Sequence, residues 1–197
     1  MFVIKSPVKW ALLAIAIFTI FMAWGRHFAL FNDFLFYNMP MFDKFRTPSM
    51  ILTVTNVVFV LLGFLGLQEL LSGATSRNEL MKKLQYSAGI TLGLLVVFGL
   101  LGGVFNDFTA AGDAKLATSG LPMDDIQDDR ASLLRMDALR GIIFVILAAG
   151  LLWAYIKDKL KAKHIYIALG LLILFDVWNV SKRYLNDADF VEQKNYD

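Results

Sequence analysis

The sequence predicts an all-α fold, a polytopic membrane helix bundle of about five transmembrane helices with longer loops on the outer side. Three observations predict it. Apolar runs stand near residues 8–24, 50–71, 86–105, 141–156 and 164–180. Charged residues, only 18% of a chain that is 57% hydrophobic, are gathered between those runs and not mixed into them. Trp or Tyr marks the ends of several runs, at Trp10, Trp24, Tyr86, Trp153, Tyr155, Tyr166 and Trp178, where amphipathic rings suit the two interfaces. A soluble domain is about 45–50% apolar and about 25% charged, so a mean hydropathy of +0.58 fits lipid better than water. Runs of this length can satisfy their backbone in lipid only as helices.

Each element has its own local signal. The first run follows Lys5 and Lys9 as a signal anchor would, and with no A-x-A-like cleavage site after it, it reads as retained. Thr47-Pro48 supplies an N-cap and first helical position for the second run, and Glu69 reaches the inner interface at its other end. Ser76-Arg77-Asn78-Glu79 is a capping box, starting the third helix about ten residues before its apolar portion. Within that helix Gly89, Gly93, Gly99 and Gly103 fall in an arc of roughly 120°, a face that lets another helix approach closely. Asp129 reads as the cap of the fourth helix, which includes "RASLLRMDALRG". The fifth run closes a transmembrane domain over residues 1–180, leaving 181–197 as an outer tail that begins a soluble region.

Orientation follows from the short connections. Residues 1–9, 72–85 and 157–163 hold nine basic side chains: Lys5, Lys9, Arg77, Lys82, Lys83, Lys157, Lys159, Lys161 and Lys163. That density predicts a cytoplasmic N-terminus and an outside C-terminus. The longer stretches 25–49 and 106–140 then lie outside, where function usually sits.

Several function classes are excluded by composition. No cysteine is present and the two histidines, His27 and His164, are far apart, so neither a thiolate nor a His-based metal site is expected. A net charge of +2 makes no case for nucleic acid. No phosphate-cradling loop, GxSxG, HExxH or dinucleotide fingerprint occurs. No cofactor is expected within the chain.

Three constellations remain. In "WGRHFALFNDFLFYNMPMFDKFRTPSM", residues 24–50, aromatic and aliphatic side chains alternate irregularly with charges, as suits a segment at the headgroups. Arg46 immediately precedes the second helix, so a lipid phosphate would meet both a guanidinium and the positive end of the helix dipole. The alternative is that Arg26, Lys44 and Arg46 snorkel to ordinary headgroups. In "LLRMDALRG", residues 133–141, Arg140 is the named partner for Asp176, a carboxylate about one turn inside the fifth helix. That pair reads either as a lock between antiparallel helices or as a proton-accepting or substrate-contacting Asp176. "DDIQDD", residues 124–129, lacks the glycine turn of a calcium loop and reads as a solvated loop ending in a helix cap.

The blocks "WGRHF", "DFLFYNMPMFDKFRTPSM", "LLRMDALRGIIFVILAAGLLWAYIKDKLKAKH" and "LLILFDVWNVSKRYLND" together resemble the YfhO-like family of bacterial membrane proteins, in a form common in Bacteroidota. The resemblance runs along nearly the whole chain in the same order and is weakest over residues 106–128. Members of that family are several times longer and are similar to C-type glycosyltransferases, which take sugars from polyprenyl-phosphate carriers outside the membrane. The resemblance implies a fragment whose upstream transmembrane helices, with the acidic catalytic loop, are missing, and a soluble domain following Tyr184-Leu185-Asn186-Asp187. It implies a carrier-binding or structural segment with no catalytic residue of its own, the carrier's phosphate held by Arg46 and, more weakly, Lys44, Arg26 and His27. An envelope scaffold or accessory protein is the second expectation. A transporter or lipid-flipping component is the third, and ranks last because the runs are clean apart from Asp176.

Overall fold

The structure, a computed structural model, describes residues 2–40, 42, 48–110, 112–120 and 122–184. Among these the fold is all-α, a polytopic membrane helix bundle. Four helices are long and apolar enough to cross a membrane by themselves, and a fifth crossing is reached if one sharply bent pair counts as a span. The chain divides into two compact units, Met1–Ser76 and Arg77–Asp197.

In the first unit, α1 (Val8–Trp24) starts behind Pro7, with the Ser6 hydroxyl accepting the Val8 N–H at 3.3 Å. Its 17 residues cover about 25 Å at 1.5 Å per residue, short of a hydrocarbon core of about 30 Å. It ends at Gly25, whose φ of +50° is open to glycine and strained for other residues. A 3-10 turn over Gly25–Phe28 then leads into α2 (Ala29–Asn38), inclined 96° to α1. The helix expected over 8–24 is present with those bounds, and together with α2 it makes the fifth candidate span; part of the expected loop 25–49 is helical.

A 3-10 turn, Pro48–Ile51, opens α3 (Leu52–Leu71), and α1 packs along it. Ile4, Ala16, Val58 and Leu62 form the buried contact, flanked by Leu12 and Leu65. Beside them Thr19 Oγ1 lies 2.7 Å from Thr55 Oγ1 and 2.8 Å from the Ile15 carbonyl. One hydroxyl donates back to its own helix and the other across, so both buried groups are satisfied, a contact worth about 0.6 kcal/mol on average between membrane helices. At the far end of α3, Lys5 Nζ donates to the Ala74 carbonyl at 3.1 Å and stands 3.7 Å from Glu69 Oε1.

In the second unit, α4 (Arg77–Leu94) begins immediately after Ser76, at the place the capping-box spacing marks. It runs into six residues of π-helix, Leu95–Leu100, before a break at Leu101 and the single turn α5 (Gly102–Phe105). A short helix α6 (Asp113–Thr118) precedes α7 (Met123–Ile156), which leads through a tight turn into α8 (Ala162–Tyr184). α8 continues helically to Tyr184, and residues 185–197, most of the expected outer tail, lie outside the described residues.

Two expectations about this unit are corrected. Asp129 is not a cap: Pro122, extended at φ −68° and ψ 113°, precedes a helix that starts at Met123. The acidic run is the beginning of α7, with Asp124 and Asp125 in the first turn, where the helix dipole favours negative charge. The glycine arc holds only in part: Gly89 and Gly93 face open space, whereas Gly99 and Gly103 meet α7. Gly102, outside that arc, also meets α7, because the π-helical segment closes i to i+5 hydrogen bonds and shifts later residues around the axis. A Cβ on Gly99 would collide with that of Ala138, and one on Gly102 would lie 2.8 Å from Leu134 Cδ2.

Large apolar side chains on the spans stay exposed, among them Leu171, Leu174 and Phe175 of α8 at 62%, 67% and 64%. Contiguous exposure of this kind is ordinary against lipid and unusual in water.

Candidate functional site

The charged half of α7 organises the chemistry of the second unit. At 34 residues α7 is about 51 Å long, so roughly two fifths of it extends past a 30 Å hydrocarbon core. Residues 123–140 carry its eight charged side chains, and residues 141–156 carry none. Two of those charges meet neighbouring elements: Arg130 the 106–121 connection and Arg140 α8.

Arg130 grips the connection. Its Nη1 donates to Asp113 Oδ2 at 2.8 Å and to the Phe108 carbonyl at 2.7 Å, while Nη2 donates to Asp113 Oδ1 at 2.7 Å. Two parallel N–H···O bonds of this kind are both stronger and more directional than a single one. Asp113 Oδ2 also accepts the Ala110 N–H at 2.7 Å, just ahead of α6. Phe108 adopts φ +55°, stabilised by Asp107 Oδ1 accepting the Thr109 N–H at 3.2 Å and its hydroxyl at 2.9 Å. The Arg130 guanidinium, with the Ala110 N–H, pulls the Asp113 carboxyl down to about 2. The Thr109 N–H and hydroxyl lower that of Asp107.

This gives a pH dependence with a definite sign. A carboxyl depressed in the folded state stabilises it above its ordinary value of 3.8, and that contribution is lost as pH falls toward about 2. The Ala110 amide signal in an NMR titration of the chain in micelles is expected to move with an apparent pKa near 2. A midpoint at the ordinary 3.8 would show that the pair does not form.

Ten residues along α7, Arg140 Nε stands 3.1 Å from Asp176 Oδ1 of α8, and Arg140 Nη1 is 3.9 Å from Asp137 Oδ1. About a third of the Arg140 and of the Asp176 side chain is exposed. The Nε–H is not aimed at Asp176 Oδ1, which accepts no aligned hydrogen bond, so the contact is an ion pair and not a directed bond. Between the two paired arginines, Arg135 is exposed and has no ion-pair partner among the described residues; one of its guanidinium nitrogens would lie 3.5 Å from a Cβ on Gly103.

The four residues assigned to a lipid phosphate fare differently. Lys44 and Arg46 lie outside the described residues. Arg26 is placed through its backbone in the 3-10 turn, and His27, in the same turn, is exposed. The described residues therefore do not bring these four together. Around that turn Phe18, Phe21, Trp24, Phe28 and Phe31 form one ring cluster, with Phe21 5.4 Å from Phe28 and Phe28 stacked 5.7 Å from Phe31. Sequence reasoning missed the Arg130–Asp113 clamp. Asp107-Phe108-Thr109 is a legible Asx turn, but nothing local links Asp113 to an arginine seventeen positions on.

Among the described residues no group of three or more His, Asp or Glu side chains is arranged to hold a metal ion. Comparison with protein-family models, with curated proteins and with solved structures finds no match for the chain.

Proposed function

We propose that the chain serves a glycosyltransferase-like system of the bacterial inner membrane that uses polyprenyl-phosphate-linked sugars in cell-envelope glycan modification. Its part is to bind the carrier's phosphate, not to transfer the sugar. The N-terminus lies on the cytoplasmic side in this reading, and the 25–49 stretch on the outer side. The observation that carries it is the 96° turn behind Gly25. A helix leaving a span at that angle runs along the interface, and α2 exposes Leu30, Phe34, Phe36 and Tyr37 there. In the sequence, Arg46 precedes the helical turn that Pro48 opens, and the positive end of that helix's dipole favours an anion.

The test is Arg46→Ala in the purified chain, with binding of a polyprenyl phosphate measured in detergent. Loss of one charge-assisted contact is expected to weaken binding about tenfold or more. Unchanged affinity in a normally folded variant would overturn the reading. A scaffold role is the second reading, favoured by one observation: Arg130 and Arg140 are committed to Asp113 and Asp176, which locks elements of the second unit together.

A further inference from the structure

At the other end of α7 the chain makes a second, differently built charged surface. The helix closes in a Schellman motif: Asp158 takes φ +57°, its N–H donates to the Tyr155 carbonyl at 2.9 Å, and the Lys159 N–H donates to Ala154 at 2.9 Å. Arg77, at the start of α4, clamps this turn. Its Nη2 lies 2.5 Å from Asp158 Oδ1, its Nη1 donates to the Tyr155 carbonyl at 3.1 Å, and its guanidinium lies 5.1 Å from the centre of the Tyr155 ring. The clamp brings residues 77–83 and 157–163 side by side.

Those two stretches carry seven cationic side chains and only two carboxylates, Glu79 and Asp158. Both carboxylates are already paired, Glu79 with Lys83 at 2.6 Å and Asp158 with Arg77. Lys82, Lys157, Lys161 and Lys163 are exposed and have no ion-pair partner among the described residues. Lys159 Nζ lies 4.9 Å from the centre of the Trp153 ring. Trp153 and Tyr166 are 42% and 55% exposed at the ends of the two spans, the level at which aromatic belts meet headgroups. The lysines therefore sit at the depth of the lipid phosphates, on a turn whose backbone is fixed before any lipid arrives.

We propose that the α7–α8 turn and the start of α4 form a binding surface for anionic phospholipid headgroups, with Lys82, Lys157, Lys159, Lys161 and Lys163 as its cations. A juxtamembrane cluster of four to eight basic residues is a recognised form of such a surface, and each lysine attracts an anionic leaflet independently of sequence. The inference needs only that the chain spans a membrane, and it is independent of any sugar carrier.

The test uses the whole chain with Trp10→Phe, Trp24→Phe and Trp178→Phe, leaving Trp153 as the only indole, in phosphatidylcholine vesicles. Brominated phosphatidylglycerol is expected to quench Trp153 about fivefold more efficiently than brominated phosphatidylcholine at equal low mole fraction, with the preference falling at high salt. Lys157→Gln, Lys161→Gln and Lys163→Gln together should bring the two lipids to parity. Equal quenching in the lysine-intact chain, or an unchanged preference in the triple variant, would overturn the proposal. If the triple variant loses its helical circular dichroism, the salt titration decides, and a preference that survives high salt overturns it. Equal quenching by the two lipids together with retention of an acidic peptide would assign the surface to a protein and likewise overturn it.

Discussion

Replacing Gly99 with alanine is expected to destabilise the second unit by about 1–3 kcal/mol, the usual cost of forcing extra volume into a packed contact. The added Cβ would occupy the space of Ala138 Cβ, an atom fixed directly to its backbone, so relief requires the helices to separate. Separation would disturb the Leu95 contact with Gly141 as well, where a Cβ on Gly141 would already lie 3.4 Å from Leu95 Cδ2. The second change Ala138→Gly removes the obstructing atom and should restore most of the loss. Denaturant unfolding in mixed micelles, followed by far-ultraviolet circular dichroism, reads both variants. A fully stable Gly99→Ala chain would show that the two helices do not meet at this point.

The second large effect is expected at the charged end of the same helix pair. Arg140→Leu leaves the Asp176 carboxylate near the end of α8 without its nearest cation. Breaking a fully buried pair costs about 3–5 kcal/mol; with a third of each side chain exposed, roughly 1–2 kcal/mol is expected here. Asp176→Leu in the Arg140→Leu background should recover stability, because no uncompensated charge then remains. The double-mutant cycle isolates the pair from other effects of either change. If instead Arg140→Leu is neutral, lipid headgroups or water satisfy Asp176, and its role lies with a substrate or proton.

The legible parts of this fold are those in which local chemistry acts alone. Long apolar runs had to become helices in lipid, and Ser76-Arg77-Asn78-Glu79 places the start of α4 within its own four residues. Arg140 and Asp176 were legible for a similar reason: a carboxylate that deep in a run needs a cation, and one stands at the matching height of the preceding helix.

What escaped the sequence depends on geometry without a composition. One glycine with a positive φ starts the turn that inclines α2 by 96° to α1. Six residues of π-helix look like any other Leu-Val-Phe run, yet they bring Gly102, outside the predicted glycine arc, against α7 beside Gly99. At the start of α7 two helix signals compete, and Pro122 prevails over Asp129 because acidic residues after it fit the first turns of a helix. Arg130 and Asp113 meet only because α7 extends beyond the membrane span. Of the phosphate-site residues, Lys44 and Arg46 fall outside the described part of the chain.

The account rests on α7 crossing a bilayer with its charged half on one side and the Lys157–Lys163 turn on the other. Because the chain contains no cysteine, single cysteines can be placed at Ala117 and at Lys161 without background. In vesicles of uniform orientation, a membrane-impermeant maleimide should label one of these positions directly and the other only after permeabilisation. Labelling of both from the same side, or a chain that remains dissolved and monodisperse without detergent, would contradict it.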